Sequence, residues 1–254
     1  MDFNTWLSAR VAQAETELSF REIRQGVQAV QANYLARQRG RELSGKPMEG
    51  RAKREAFATF YAALHHITVY EWMKTTPLGE FPPIQKIHDL GCGTGAVGSA
   101  VALSMHNSAI VCGLDRSPWA IAEARQCYAG LGLSGGARKA TLPGGLPKIG
   151  SGEIMVAGWS LNELATDARN GMLKEFKRAL GRGAGLLIFE PISEKICPWW
   201  PTWVQELQGF NVEEHRIKFT HARPEWIARM DKAAKMDHRI LSARVLGCKP
   251  RNFS

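Results

Sequence analysis

HDLGCGTGAVG, residues 88 to 98, sets four glycines within eight positions directly after an apolar run. Without a Cβ, the backbone there is free to turn with positive φ and lie close against a bound cofactor. Two cofactor chemistries fit the spacing. Gly93-x-Gly95-x-x-Gly98 has the pattern of a turn that sets a dinucleotide pyrophosphate on a helix N-terminus; Asp89-x-Gly91-x-Gly93-x-Gly95 has the pattern that holds S-adenosylmethionine (SAM). The acid ahead of the turn separates them. A carboxylate at the mouth of the bend repels a diphosphate and favours a ligand that carries an ammonium, a sulfonium and no phosphate. Asp115 closes AIVCGLD, 20 residues after Gly95, where a carboxylate can accept both ribose hydroxyl protons. In DRSPW the same residue also fits a turn or N-cap ahead of a helix, and the two roles are compatible.

Such residues need a rigid frame, and the chain from residue 84 onward supplies one. Short apolar runs alternate with helical segments: IQKIHDL, a helix from about 96, AIVCGLD, a helix over 118 to 130, ARKATL, EIMVAGWS, a helix over 166 to 180, GAGLLIFEP, NVEEHRIKF and RILSARVLGC. Runs this short and this rich in Val, Ile, Leu and Ala predict a parallel sheet covered on both faces, a doubly wound α/β core. Ahead of it, Phe3, Trp6, Leu7, Val11, Phe20, Ile23, Val27, Val30 and Tyr34 recur at helical spacing, and Phe57, Phe60, Tyr61, Leu64 and Trp72 share a second helical face. TTPLGEFPP breaks the chain after them. The expected organisation is a helical N-terminal extension over 1–80 and a cofactor-binding domain over 81–254.

IHDLGCGTG followed by VCGLDRSPWAIAEAR resembles motifs I and II of class I SAM-dependent methyltransferases. The resemblance runs from residue 84 to about 190, and RILSARVLGC is similar to the antiparallel last strand of that seven-stranded sheet. It implies SAM as cofactor. Asp89, Gly91, Cys92, Gly93 and Gly95 would line its methionine and sulfonium end, Asp115 with Arg116 its ribose, and Trp159 and Ser160, at the end of the fourth strand, would also bind the cofactor. The third strand departs from the pattern. ARKATLPGG lacks the acid that often meets the adenine amine, which leaves Thr141 or Leu142 for that contact.

Methyl transfer is a one-step displacement, so a base is needed only if the nucleophile must lose a proton. Asn162 and Glu163, after the fourth strand, are candidates to orient the nucleophile, or else an N-cap pair for the helix that follows. Glu190, ending GLLIFEP, is the candidate general base by its place at a strand carboxyl end. The Asn- or Asp-Pro-Pro-aromatic motif of adenine amino methyltransferases is absent, and Cys197-Pro198 reverses the Pro-Cys order of the cytosine C5 enzymes. His65 and His66 read as packing or surface residues. CPWWPTW, 197 to 203, cannot continue a helix or a central strand, so Trp199, Trp200 and Trp203 either stack on a nucleobase or close a lid over the core.

The chain of 254 residues is 44% hydrophobic and 22% charged, enough for a full core. Its net charge is +9, and a basic surface attracts polyanions through counterion release. Residues 37 to 54 hold seven Lys or Arg against two Glu: Arg37, Arg39, Arg41, Lys46, Arg51, Lys53 and Arg54. WSLNEL, LLIFEP and the helical extension also resemble methyltransferase-like proteins of small-ribosomal-subunit assembly, without the cysteine cluster common in that family; the extension and the charge are similar to those of small-subunit rRNA methyltransferases of the aminoglycoside-resistance type. The expected function is a SAM-dependent methyltransferase of structured RNA, with ribosomal RNA or the small ribosomal subunit as partner. Transfer to a small molecule, or a non-catalytic SAM-binding ribosome-associated role, are the alternatives. Five separate cysteines give neither a disulfide framework nor a metal site. No stretch approaches the roughly 18 to 20 apolar residues of a membrane span, and MDFNTWLSARVAQAE is too polar and acidic for a signal peptide, so the cytoplasm is the expected compartment. Nothing in the sequence fixes an oligomeric state.

Overall fold

The computed structural model describes residues 1–38, 48–105 and 109–250, without the side chains of 37 and 38. Two units separate by their internal packing: the described residues of Met1–Leu64 with Lys218–Leu241, and His65–Ile217 with the chain from Ser242 onward.

The second unit is built on seven strands: β1 Lys86–Leu90, β2 Ile110–Asp115, β3 Gly135–Lys139, β4 Glu153–Gly158, β5 Gly185–Glu190, β6 Glu213–Thr220 and β7 Ile240–Cys248, the last two running across the unit boundary. Their order is β3-β2-β1-β4-β5-β7-β6. Parallel pairing joins β3 through β5, and β7 is antiparallel to β5, with Glu190 opposite Arg244. All six residues of GLLIFE are buried, as a strand covered on both faces requires. The strand order reverses between β1 and β4. Ligands of doubly wound sheets lie beyond the carboxyl ends of the strands at such a switch point, so the fold alone assigns the site to the ends of β1, β2 and β4.

Helices α5 Ala96–Ser104, α6 Pro118–Gly130, α7 Thr166–Gly181 and α8 Trp200–Leu207 belong to this unit. Ser117 caps α6 by accepting from the Ala120 amide, with Pro118 in the first turn. The tryptophan-rich stretch corrects its sequence reading. Pro201 does not end regular structure there; it occupies the first turn of α8, where its missing N–H costs nothing. Trp200 and Trp203 are each 1% exposed and pack with Met172, Phe176, Cys197 and Leu207. They are core residues, and neither can stack on a nucleobase.

In the first unit the helical spacing from Phe3 to Tyr34 is divided between two helices, α1 Phe3–Glu15 and α2 Phe20–Gln38. Ser19 and Glu22 explain the break: the Ser19 amide donates to the Glu22 carboxylate at 2.8 Å and the Glu22 amide to the Ser19 hydroxyl at 3.3 Å, a reciprocal cap that starts a new helix. α3, Arg51–Ala56, continues through a π-helical turn, Phe57–Tyr61, into α4, Ala62–Thr75, which from His65 onward belongs to the second unit. Gly26 lets α2 and α3 approach, since a Cβ there would lie 2.1 Å from the Ala52 carbonyl. A helix that the sequence reading lacks, α9 Glu225–Ala234, joins this unit by packing Trp226 edge-on to Phe20 at 5.7 Å. Among the described residues no helix is long and apolar enough to cross a membrane.

Candidate functional site

The turn after β1 takes its shape from three glycines with positive φ: Gly91 at +67°, Gly93 at +51° and Gly95 at +82°. A Cβ at Gly91 would lie 2.7 Å from the Ser160 Cβ, and one at Gly95 would lie 2.8 Å from the Tyr128 ring. Its amides are taken internally. Those of Gly91 and Cys92 donate to the Leu114 carbonyl at 2.8 and 3.0 Å, that of Gly93 to Asp115 Oδ2 at 3.0 Å and that of Gly95 to the Cys92 carbonyl at 2.8 Å. At the start of α5 the Gly98 amide donates to Asp89 Oδ2 at 3.0 Å. A dinucleotide turn presents amides to a pyrophosphate; here these five are already engaged within the protein.

Asp89 therefore acts differently from the expectation. Its carboxylate is 1% exposed, under the turn rather than at its mouth, and accepts from the Tyr128 hydroxyl at 2.9 Å as well as from Gly98. Burial pushes its pKa up to about 6 against those two hydrogen bonds. It braces the turn and α5. The Cys92 thiol is buried too, pushed far above its usual pKa by desolvation and the nearby carboxylates. Only the backbone of that residue can face a ligand.

Asp115, at the end of β2, is half-buried; besides Gly93 its carboxylate accepts from the Ser117 amide at 2.8 Å, so it is held in place as an acceptor beside the turn. Arg116 and Thr141 are exposed and Leu142 is half-buried. On the other side of the turn, the Ser160 hydroxyl donates to the Leu90 carbonyl at 2.8 Å. Trp159 has φ +51°, a left-handed conformation that costs a bulky residue about 1–3 kcal/mol. Its amide donates to the Phe189 carbonyl at 2.7 Å, and its ring stacks on His65 of α4 with centroids 3.9 Å apart and planes within 3°.

Glu190 and Asn162 are brought together, in a closed arrangement. The Glu190 carboxylate is fully buried and accepts from the amides of Leu161 (2.9 Å) and Asn162 (3.3 Å) and from the Asn162 side chain (2.6 Å), with the Cys197 thiol 3.8 Å away. Desolvation raises its pKa to about 7. In this geometry it pins the 3₁₀ turn Leu161–Glu163 beyond β4 and has no path to an acceptor. Glu163, at the end of that turn, is exposed. Trp199 is half-buried, with the Arg169 guanidinium 5.4 Å over its ring and Trp203 4.6 Å away, centroid to centroid. Of the basic segment, Arg39 and Arg41 and the side chain of Arg37 lie outside the described residues. Arg51 pairs with Glu17, Arg54 donates to the Met48 carbonyl at 3.2 Å, and Lys53 is half-buried.

Residues 87–183 match the family model described as a methyltransferase domain. The CurJ carbon methyltransferase superposes over 94% of this chain and 71% of its own with a TM-score of 0.54 at 12% identity. This is the class I SAM-dependent methyltransferase fold. YcgJ of Bacillus subtilis (14% identity, 74% of this chain and 100% of its own, TM-score 0.47) and a SAM-dependent methyltransferase of Aquifex aeolicus (16%, 72% and 91%, 0.46) are more distant in shape. No curated protein matches this sequence. The cofactor of the fold and of the matched domain is SAM, and the turn fits it: a left-handed glycine cradle that a Cβ would fill, with Asp115 as ribose acceptor beside it. When bound, SAM supplies an electrophilic methyl group on sulfur. The methyltransferase domain itself contributes shape, an acceptor carboxylate and a braced β4 end. His65, read from the sequence as a packing or surface residue, packs on Trp159, a partner remote along the chain that no local signal announces.

Proposed function

We propose that this SAM-dependent methyltransferase acts on structured RNA, ribosomal RNA foremost, with the N-terminal residues 1–80 contributing contacts, in the cytoplasm. The observation that carries this reading is the net charge of +9 together with the seven Lys or Arg over residues 37 to 54. Phosphate contacts of that kind release counterions and favour a polyanionic substrate.

With Glu190 sealed, the reading favours an acceptor atom whose lone pair is available without prior deprotonation, such as a ring nitrogen of a base. Tritiated-methyl transfer from SAM, offered fractionated ribosomal RNA, stripped small subunits and a small-molecule extract, tests the proposal. Incorporation into an RNA fraction, falling steeply as salt rises, is the expected result. Label confined to the small-molecule extract would refute the RNA assignment, and tight SAM binding with no incorporation anywhere would point to a non-catalytic factor.

A further inference from the structure

The carboxyl end of β4 carries a costly choice. Trp159 sits at φ +51°, where glycine is at ease and a bulky side chain is strained. The backbone alone gains nothing from an indole at this point, because its ladder bond, Trp159 amide to Phe189 carbonyl at 2.7 Å, is open to any residue with an N–H. What the left-handed turn achieves is a division of directions. It brings the next residue, Ser160, against Gly91 of the cofactor turn, and it sends the indole onto His65, ring on ring at 3.9 Å. Phe189 lies farther off, with its centroid at 6.3 Å and its plane tilted by 18°.

Sheet order gives the direction of the cofactor. The ribose acceptor Asp115 ends β2, the glycine turn follows β1, and β4 is the neighbour of β1 on the side away from β2. A ligand whose ribose lies at β2 sets the group bonded to the ribose C5′ over the turn, on the side toward β4. In SAM that group is the sulfonium, which bears the methyl. We infer that Trp159 forms the wall beside the transferable methyl, and that His65 is the positioning residue that holds the indole there by face-to-face stacking. The inference rests on the SAM reading of the turn.

The chemistry suits the place. Burial holds His65 far below its ordinary pKa, at about 3, so the ring behind the indole is neutral and adds no positive charge beside a sulfonium. An electron-rich indole beside a cation is favourable, and a flat wall excludes water from the displacement. Trp159 also bounds the route of the incoming nucleophile, which makes it a determinant of acceptor shape.

The test uses the full chain and SAM labelled with carbon-13 at the methyl group. With calorimetry first establishing binding, the bound methyl resonance of the parent protein is expected upfield of free SAM by the ring current of the stacked pair. In Trp159→Gly that displacement is lost; in His65→Ala it shrinks, and in His65→Phe, which keeps a flat ring, it returns. A fold control comes from comparing Trp159→Gly with Trp159→Ala: glycine relieves the left-handed strain, so the glycine variant melts higher while both lose the resonance shift. Binding of SAM with a methyl resonance that Trp159→Gly leaves in place would overturn the inference and leave the cofactor assignment standing. A His65→Ala shift equal to that of the parent would remove His65 from the role. Failure of the parent to bind SAM would overturn the cofactor reading, and this inference with it.

Discussion

The two halves of the site are held by different means. Beyond β1 and β2 the backbone fastens itself: the amides of Gly91, Cys92, Gly93 and Gly95 are satisfied by two carbonyls and the Asp115 carboxylate, all near in sequence or on the adjacent strand. Beyond β4 and β5 side chains distant in sequence do the work, Glu190 pinning Leu161 and Asn162, and His65 backing Trp159. The first half is fastened by its own backbone. In the second, a buried carboxylate and a strained tryptophan take the place of a repeated backbone motif.

Substitution of Glu190 challenges this contrast most severely. Glu190→Leu strands the buried Leu161 N–H and two half-buried N–H groups of Asn162, and we expect a loss of about 2–4 kcal/mol, which is a fall of roughly 4–16 °C in Tm for a chain of this size, read by calorimetric melting. SAM affinity should change less than stability does, because the turn does not depend on this anchor. Equal damage to both would show the halves to be one unit.

Titration of the same carboxylate gives the next effect. A carboxylate whose folded pKa is raised, here from 4.5 to about 7, is deprotonated first in the unfolded chain, so its contribution to stability falls as pH rises from about 4.5 to 7. The full span is about 3 kcal/mol. Glu190→Gln removes that slope, and its stability relative to the parent should therefore improve by this order between pH 4.5 and 8 in denaturant titrations. Asp89, raised from 3.8 to about 6, adds a slope of the same sign over its own window, which Glu190→Gln leaves intact.

On the cofactor side, Gly91→Ala places a methyl group 2.7 Å from the Ser160 Cβ at a φ that alanine resists. A penalty of about 1–3 kcal/mol predicts a SAM Kd raised roughly 5- to 150-fold in calorimetry. Ser160→Ala is the mildest change. It removes one hydrogen bond to the Leu90 carbonyl, worth about 1 kcal/mol, and should raise the SAM Kd no more than about fivefold.

The contrast also explains what was legible in the sequence. The sheet, its order of alternation, the glycine turn, Asp115 at the end of β2 and the Pro118 start of α6 are written in local patterns, and each stands where those patterns place it, although Ser117 rather than Asp115 caps α6. Asp89 was legible as a residue but not as a direction: that its carboxylate turns inward to Tyr128 and Gly98 depends on packing between β1, α5 and α6. Trp200 and Trp203 fit two readings, because a tryptophan next to proline marks a loop as well as it marks the first turn of a helix, and only burial decides. α9 was missed between two strands, and the break at Ser19 was passed over although its reciprocal cap is local. His65 with Trp159, and Asn162 with Glu190, are pairs that only the fold brings together.

Calorimetric titration of the full chain with SAM and, separately, with NADH and NADPH tests the central claim most directly. A left-handed glycine turn whose Gly91, Cys92, Gly93, Gly95 and Gly98 amides are engaged internally is expected to bind SAM at one site and neither dinucleotide. Tight binding of a dinucleotide with none for SAM would contradict it.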